Sequence, residues 1–274
     1  FQVVKDGDKL SLGKRELTFV ALPMLHWPDS MATYCADDGI LFSNDAFGQH
    51  YAAAKRFDDE VDQGILFYEA KKYFANILWP YARLIDKALT KVAALDLKMI
   101  ATAHGIIWRS HIQEIIARYA AWGKGVSDSS VVVAYDTMWG ATEQMARAVL
   151  EGVISAGSDA VLLRMNETPN STAVADLFEA GGLIVGSSTL NNGMLPTLGS
   201  LLVYLKGLKP TGKKAAVFGT YGWAGGAQKD MEALLTEAGF ELEPGFTCKW
   251  KAQPEDLAAA RQLGYEFAKK LQNK

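Results

Sequence analysis

The sequence predicts an α/β protein of two domains, and two patterns in its second half support the parallel sheet typical of this class. Short apolar runs that indicate buried strands alternate there with segments of helical periodicity. Three of these strands end in short loops rich in glycine and small polar residues, which is where open α/β sheets bind ligands. With 49% hydrophobic residues among 274, the chain has enough apolar material for two hydrophobic cores.

The strands and helices of the second domain are predicted in strict alternation. Right-handed crossovers between consecutive strands then give a parallel sheet with helices on both faces. The predicted strands are 131–136, 160–165, 183–187, 215–220 and 241–248, and the predicted helices are 142–156, 172–180, 196–206, 227–238 and 254–270.

The loop after the first of these strands is predicted to bind a phosphate group. A buried strand followed by a polar turn and a helix N-terminus offers backbone N–H groups and the positive end of the helix dipole to an anion. Thr137 and Thr142 add hydroxyl donors, and Gly140 allows close approach of the backbone. The loop lacks the Lys that a nucleoside triphosphate site requires, and the Gly-x-Gly-x-x-Gly dinucleotide motif is absent. A single phosphate monoester remains, with flavin mononucleotide (FMN) as the best candidate; the alternative is an ordinary polar turn.

The two later loops extend this prediction to the rest of a flavin. Asn191 and Asn192 can hydrogen-bond the pyrimidine edge of the ring, and Tyr221 and Trp223 can cover its faces, although exposed aromatic residues also serve as packing anchors. The predicted FMN-binding residues are Thr137, Met138, Trp139, Gly140, Ala141, Thr142, Ser188, Thr189, Leu190, Asn191, Asn192, Gly193, Thr220, Tyr221, Gly222, Trp223 and Gly225. With these three loops in register, the region from about residue 129 to residue 274 resembles the flavodoxins. The resemblance implies a doubly wound sheet of strand order 2-1-3-4-5 with the flavin at the switch point.

Charge and cysteine content exclude several other classes. A net charge of −3 and an isoelectric point near 5.9 leave no basic surface for nucleic acid. No apolar run approaches the roughly 18 residues that span a bilayer, so no membrane partner is predicted. Cys35 and Cys248 lie far apart and have no metal-binding spacing, which favours reduced thiols in a cytoplasmic protein.

The first domain carries a different signal, because three predicted strands each deliver one potential metal ligand at the strand end. The strand at 17–22 leads to His26, the strand at 39–43 leads to Asp45, and the strand at 98–103 leads to His104. Strand ends hold ligands rigidly enough to converge on a metal. Taken singly, the histidines can equally be hydrogen-bonded core residues and Asp45 a turn or helix cap.

Their order and context resemble the metallo-β-lactamase fold and, with the flavodoxin-like half behind it, the flavodiiron proteins of the rubredoxin:oxygen oxidoreductase type. The most specific matches are the segments 25–30, 43–48 and 102–105. The resemblance implies a partial αββα metallo-β-lactamase-like domain at 1–124 and a flavodoxin-like FMN domain at 125–274. It also implies two nonheme irons, with His26 on one iron, His104 on the other and Asp45 bridging both.

One departure from the family pattern concerns the remaining iron ligands. The family's His-x-Glu-x-Asp-His cluster has no counterpart here, and His50 and His111 lack its spacing. His50 is predicted to pack beside the Asp45 loop and His111 to lie on a helix surface. Three ligands do not hold two irons. The chain begins at Phe1 without a methionine, so we expect that it lacks an N-terminal segment carrying those ligands and does not assemble the diiron site alone.

Between the ligand-bearing strands, residues 60–95 have helical periodicity, with a break at Pro80. The aromatic stripe of this region indicates core packing or, alternatively, a subunit interface, since family members pair head to tail as homodimers. Residues 122–128 are predicted to form the linker between the domains.

The function implied by the resemblance is electron relay. FMN receives electrons from rubredoxin or a similar donor and passes them to the diiron site, which reduces O2 to water, NO to N2O, or both. Two other functions stay open: a flavodoxin-like electron carrier without metal catalysis, and a metal-dependent hydrolase of the metallo-β-lactamase superfamily.

Overall fold

The computed structural model describes residues 2–125 and 127–273, and the chain forms two compact units, Phe1–Val126 and Ser127–Lys274. Within the described ranges, no helix has the length and apolar character needed to cross a membrane. Cys35 and Cys248 are both free and buried. Burial raises the pKa of the Cys248 thiol to about 11, so it stays protonated at neutral pH.

The first unit is built on a sheet of five strands in the order β1-β2-β3-β4-β5. The strands are β1 (Lys9–Ser11), β2 (Glu16–Ala21), β3 (Met31–Cys35), β4 (Ile40–Asn44) and β5 (Met99–Thr102). Neighbouring strands are antiparallel except β4 and β5, which are parallel. Because β2 and β4 are each antiparallel to β3, the C-terminal ends of β2, β4 and β5 meet at one edge of the sheet.

Two features of this sheet differ from what the sequence indicated. Strand β3 was not predicted, because its five residues carry only weak alternation and follow the His26 loop closely. The pattern of residues 2–4, 5–8 and 9–10 predicts a hairpin in which residues 5–8 form the turn. Instead β1 pairs with β2, and the residues before β1 are joined to β2 by hydrogen bonds from Gly7 N to Phe19 O and from Phe19 N to Asp8 O.

The predicted helical region of the first unit is helical but not continuous. It consists of a 3-10 turn (Asp58–Glu60), α1 (Gln63–Tyr73), a π-helical turn (Phe74–Leu78), a 3-10 segment (Trp79–Leu84) and α2 (Ile85–Ala93). Pro80 lies in the 3-10 segment, where its missing N–H prevents a regular α-helix. After β5 comes α3 (Ile112–Gly123), whose buried Trp122 packs against Phe74 and Tyr119 and so belongs to the core, not to a linker.

The second unit contains a parallel sheet of order β10-β9-β8-β6-β7, with β11 also pairing with β9. Its strands are β6 (Val131–Tyr135), β7 (Ala160–Arg164), β8 (Gly182–Ser188), β9 (Lys214–Tyr221), β10 (Glu241–Leu242) and β11 (Phe246–Lys249). The order confirms the predicted 2-1-3-4-5 arrangement. The fifth strand is split in two, since Pro244 between its halves has no N–H to donate to the ladder.

The helices of this unit agree with the predicted spans to within two residues. They are α4 (Ala141–Ser155), α5 (Asn170–Glu179), α6 (Pro196–Leu208), α7 (Ala227–Ala238) and α8 (Pro254–Gln272). Helices α4 and α8 pack backbone against backbone through two glycines. A Cβ on Gly152 would lie 1.9 Å from the Arg261 carbonyl oxygen, and one on Gly264 would lie 2.1 Å from the Val149 carbonyl oxygen.

This close packing predicts that Gly264→Ala destabilises the second unit by about 2 kcal/mol, because the added methyl group forces the two helices apart. Gly207→Ala in α6 is the matched control, since a Cβ there has no neighbour within 4 Å. Alanine has the better helix propensity, so the control is expected to change stability by no more than about 1 kcal/mol and in the favourable direction. Urea unfolding followed by circular dichroism measures both. Equal stabilities for the two variants would contradict the packing argument.

Candidate functional sites

A cavity of about 800 Å³ lies at the C-terminal end of the parallel sheet in the second unit. It is lined by the loops that follow β6, β8 and β9 and by the residues that follow β11. The lining residues are Met138, Trp139, Ala141, Gln144, Ser188, Thr189, Asn191, Asn192, Thr220, Tyr221, Gly222, Trp223, Ala224, Trp250 and Lys251.

Most of the residues predicted to bind FMN line this cavity. The predicted residues that do not are Thr137, Gly140, Thr142, Leu190, Gly193 and Gly225. The sequence reasoning missed Gln144, Ala224, Trp250 and Lys251. No sequence pattern indicated Trp250 and Lys251, because β11 is not followed by a glycine-rich loop. The pairing of β11 with the end of β9 brings them to the cavity.

The loop after β6 has the geometry of an anion-binding turn. Gly140, with φ of +83°, is the residue before α4, and its N–H donates to the Thr137 hydroxyl at 3.0 Å. The N–H groups in the first turn of α4 have no acceptor within the helix, so they are available to a ligand. The buried Asp136 carboxylate accepts from Thr137 N at 2.8 Å and from the Thr197 hydroxyl at 2.7 Å. These bonds fix the loop and keep the carboxylate away from the cavity lining.

Three buried hydroxyl groups connect the three loops. The Thr142 hydroxyl lies 2.8 Å from that of Ser188 and 3.0 Å from that of Thr220, and Thr220 donates to Ser188 at 3.4 Å. Each of the three hydroxyl groups has one proton to donate, so all three contacts can be hydrogen bonds. Thr142 therefore joins the loops in this structure, and its predicted contact with the phosphate stays a prediction.

Aromatic residues that follow β9 and β11 also line the cavity. The Trp223 and Trp250 rings lie 6.2 Å apart between centroids, at 52° to each other, and Trp223 is 86% exposed. Asn191 and Asn192 line the same cavity and adopt left-handed backbone conformations, which asparagine tolerates. An anion-binding turn, two amide side chains and exposed aromatic faces together fit the phosphate, polar edge and flat ring of FMN.

The second candidate site lies at the shared strand edge of the first unit. Asp45 follows β4 directly, His26 lies in the loop after β2, and His104 lies two residues after β5. His104 Nε2 is 3.2 Å from one oxygen of the buried Asp45 carboxylate, and His26 Nε2 is 3.8 Å from the other oxygen. The three residues predicted as metal ligands are therefore brought together.

The two imidazoles face different oxygens of one carboxylate, which is the arrangement for a carboxylate that bridges two cations. Across residues 2–125 and 127–273, no three His, Cys, Asp or Glu side chains are grouped so as to hold one ion. This agrees with the geometry, because each ion would take one imidazole and one carboxylate oxygen from these residues. The donor set fits part of a diiron site.

Gln49 fastens the Asp45 loop to the His104 loop. This fully buried amide donates to Phe47 O at 3.0 Å and to Ile106 O at 3.1 Å, and it accepts from Ile106 N at 2.6 Å. Its backbone N–H donates to His104 O at 3.2 Å. Gly105, with φ of +84°, is required here because a Cβ would lie 2.2 Å from the Gln49 Oε1.

The other two histidines have different surroundings. His50 is exposed and packs edge-on against Tyr73 and His104, with ring centroids 4.9 and 5.6 Å away. Burial, and secondarily the Asp45 carboxylate, raises the pKa of Tyr73, so its hydroxyl stays protonated beside the site. His111 immediately precedes α3 and lies 3.5 Å from Glu114.

The fold and the two sites define a two-domain protein with a flavodoxin-like unit and a metallo-β-lactamase-like unit. The flavodoxin family model matches residues 133–264, and the ODP family beta lactamase model matches residues 1–105. The chain is 45% identical to a nitric oxide reductase of Moorella thermoacetica, over 99% of the chain and 69% of that protein. It is 40% identical to an anaerobic nitric oxide reductase flavorubredoxin of Vibrio vulnificus, over 98% of the chain and 56% of that protein.

Solved structures agree with these matches. The flavodiiron protein of Giardia intestinalis superimposes with a TM-score of 0.96 at 37% identity, covering 99% of the chain and 68% of that protein. The rubredoxin oxygen:oxidoreductase of Desulfovibrio gigas gives a TM-score of 0.95 at 36% identity, covering 99% and 69%. The chain belongs to the flavodiiron protein family, which confirms the resemblance seen in its sequence. Membership implies FMN and a diiron centre as cofactors.

The Gln49 contacts predict that Gln49→Ala destabilises the first unit by about 2 to 3 kcal/mol, because the Ile106 N–H loses its acceptor in a buried position. Hydrogen–deuterium exchange of the backbone amides at 103–106 is expected to accelerate with it. Gln113→Ala, on the exposed side of α3, is the matched control and is expected to stay within about 0.5 kcal/mol of the parent. Parent-like exchange at 103–106 in the Gln49 variant would show that the amide does not hold the His104 loop.

Proposed function

We propose that this chain serves an oxidoreductase in which electrons pass from a rubredoxin-type donor through FMN to a diiron site that reduces O2 to water, NO to N2O, or both. The observation that carries the proposal is the placement of His26 and His104 on opposite oxygens of the buried Asp45 carboxylate. The same chain carries a cavity whose chemistry suits FMN. Both cofactors of a flavin-to-diiron relay thus have residues that fit them.

The relatives support the substrates and the donor. The Moorella thermoacetica relative is a nitric oxide reductase, and the Desulfovibrio gigas relative is a rubredoxin oxygen:oxidoreductase. We extend these activities to the present chain because its identity to them runs over nearly its whole length. We also propose the head-to-tail homodimer of the family as the working assembly.

Each group of residues has a defined task in this scheme. FMN supplies one-electron and two-electron redox chemistry when bound, and the α4 N-terminus together with the Thr137 hydroxyl would hold its phosphate. Asn191 and Asn192 would bind the polar edge of the ring, with Trp223 and Trp250 along its faces. In the first unit, Asp45 would contribute its carboxylate to both cations, and His26 and His104 would each contribute one further ligand.

The flavin assignment predicts that the apo chain binds FMN and becomes yellow, with quenching of tryptophan fluorescence during titration. Trp223→Ala is expected to weaken binding about tenfold, since the loss of one aromatic wall removes about 1 to 2 kcal/mol of contact. Trp27→Ala is the control, because Trp27 is also exposed but lies in the first unit. Riboflavin, which lacks the phosphate, is expected to bind more weakly than FMN. A folded chain that shows no flavin absorbance after incubation would rule out the assignment.

The metal assignment predicts the order of iron loss in the iron-loaded flavodiiron protein. Asp45→Ala is expected to lose both irons and all O2 and NO reduction, because its two oxygens serve both ions. His26→Ala and His104→Ala are each expected to lose less iron, and His111→Ala none. Iron per chain is measured by elemental analysis, and retained FMN absorbance shows that the second unit is intact.

The same measurement distinguishes the other functions. If Asp45→Ala keeps both irons and full turnover, the diiron assignment is wrong and the electron-carrier function replaces it. Zinc in place of iron in the parent protein would indicate the hydrolase.

A further inference from the structure

The FMN cavity has an unusual distribution of charge for an acidic protein. The chain has 31 acidic residues against 28 basic ones. Among the described residues that line the cavity, however, none is acidic, and Lys251 is the one that carries a charge. At the loop after β6, Asp136 has both oxygens engaged by Thr137 and Thr197, and Glu143 in the first turn of α4 pairs with Arg147. Lys251 is therefore the one full charge in the described cavity lining, beside the partial positive charge of the α4 N-terminus.

The ammonium group of Lys251 has no carboxylate within ion-pairing distance in the part of the chain that the structure describes. No carboxylate therefore competes with an occupant of the cavity for this ammonium group. The electrostatic attraction between an unpaired cation and a neighbouring ligand has a limited range, because water and salt screen surface charges.

The position of Lys251 places it at the aromatic end of the cavity. Lys251 directly follows Trp250, whose N–H donates to Tyr221 O at 2.7 Å and whose ring lies 3.1 Å from the Cβ position of Gly222. The anion-binding turn follows β6, and β8 and β9 separate β6 from β11 in the sheet. Three strand spacings amount to about 14 Å, so the phosphate end and Lys251 lie well apart.

We propose that Lys251 sets the reduction potential of the bound flavin by stabilising the negative charge of the reduced ring. Reduction of a flavin by two electrons and one proton gives a ring system with one negative charge, whereas the oxidised ring is neutral. A cation next to the ring binds the reduced form better than the oxidised form, and this difference raises the potential. In this role Lys251 acts on the flavin through its charge and forms no bond to it.

This inference rests on the proposed function, because it requires FMN in the cavity. The required electrons come from a one-electron iron–sulfur donor in the cell and from a chemical reductant in the test. Raising the flavin potential makes reduction by the donor more favourable and makes the flavin a weaker reductant of the metal site. Lys251 therefore determines how the driving force is divided between the two steps.

The test is a spectroelectrochemical titration of the FMN-loaded chain and its Lys251→Gln variant. At any applied potential, the variant is expected to hold about tenfold less reduced relative to oxidised flavin. For a two-electron couple this corresponds to a midpoint about 30 mV lower. The affinity of the variant for oxidised FMN is expected to stay within about twofold of the parent, because the oxidised ring is neutral.

Two control variants and the salt dependence complete the design. Lys251→Arg keeps the charge and is expected to keep the parent potential. Lys249→Gln removes the same charge from an exposed residue of β11 that does not line the cavity, and it is expected to leave the potential unchanged. The shift in Lys251→Gln is expected to shrink as ionic strength rises.

Three outcomes would overturn the inference. The potential of Lys251→Gln equals that of the parent; Lys249→Gln shifts it equally; or oxidised and reduced FMN both bind more weakly while riboflavin does not, which would assign Lys251 to the phosphate. Failure of the parent chain to bind FMN would overturn the proposed function itself, so the two failures are distinguishable.

Discussion

Both candidate sites depend on one constraint, which is that a polar group buried between loops must find hydrogen-bond partners. In the first unit the buried amide of Gln49 meets this constraint by hydrogen bonding to the backbone of Phe47 in the Asp45 loop and of Ile106 after His104. In the second unit the hydroxyls of Thr142, Ser188 and Thr220 satisfy one another. Each network joins loops that are far apart in sequence, so the site geometry follows from hydrogen bonding as much as from the sheet.

The strands bring the site residues to a common edge, and these networks determine how the loops are arranged there. His104 lies two residues beyond β5, and a short free loop does not orient a ring by itself. The hydrogen bonds from Gln49 N and from the Thr102 hydroxyl to the His104 carbonyl, at 3.2 and 2.9 Å, fix the backbone that carries the ring.

The sequence predicted the sheet of the second unit well, because each of its central strands is a continuous apolar run bounded by glycine or polar residues. Strand β3 was missed because Met31–Cys35 has no such run, and it forms only through pairing with β2 and β4. The convergence of His26, Asp45 and His104 was predicted because a strand leads to each one. Gln49, Trp250 and Lys251 were not predicted, since their roles arise from tertiary contacts that no local pattern encodes. Residue identity alone also did not show that the Thr142 hydroxyl is engaged by two other hydroxyls.

The two candidate sites have opposite charge: one contains a buried carboxylate, and the lining of the other contains no acidic residue among those described. Each arrangement suits a different kind of ligand. The first unit buries the Asp45 carboxylate between two imidazoles, which is unfavourable unless cations neutralise it. The second unit keeps acidic residues out of its cavity lining and directs Asp136 toward Thr137 and Thr197, so an anion meets N–H groups, hydroxyls and a lysine instead. An acidic chain with this division favours metal cations at one site and a phosphorylated, reducible ligand at the other. The electrostatics of the chain thus support the same pair of cofactors as its fold.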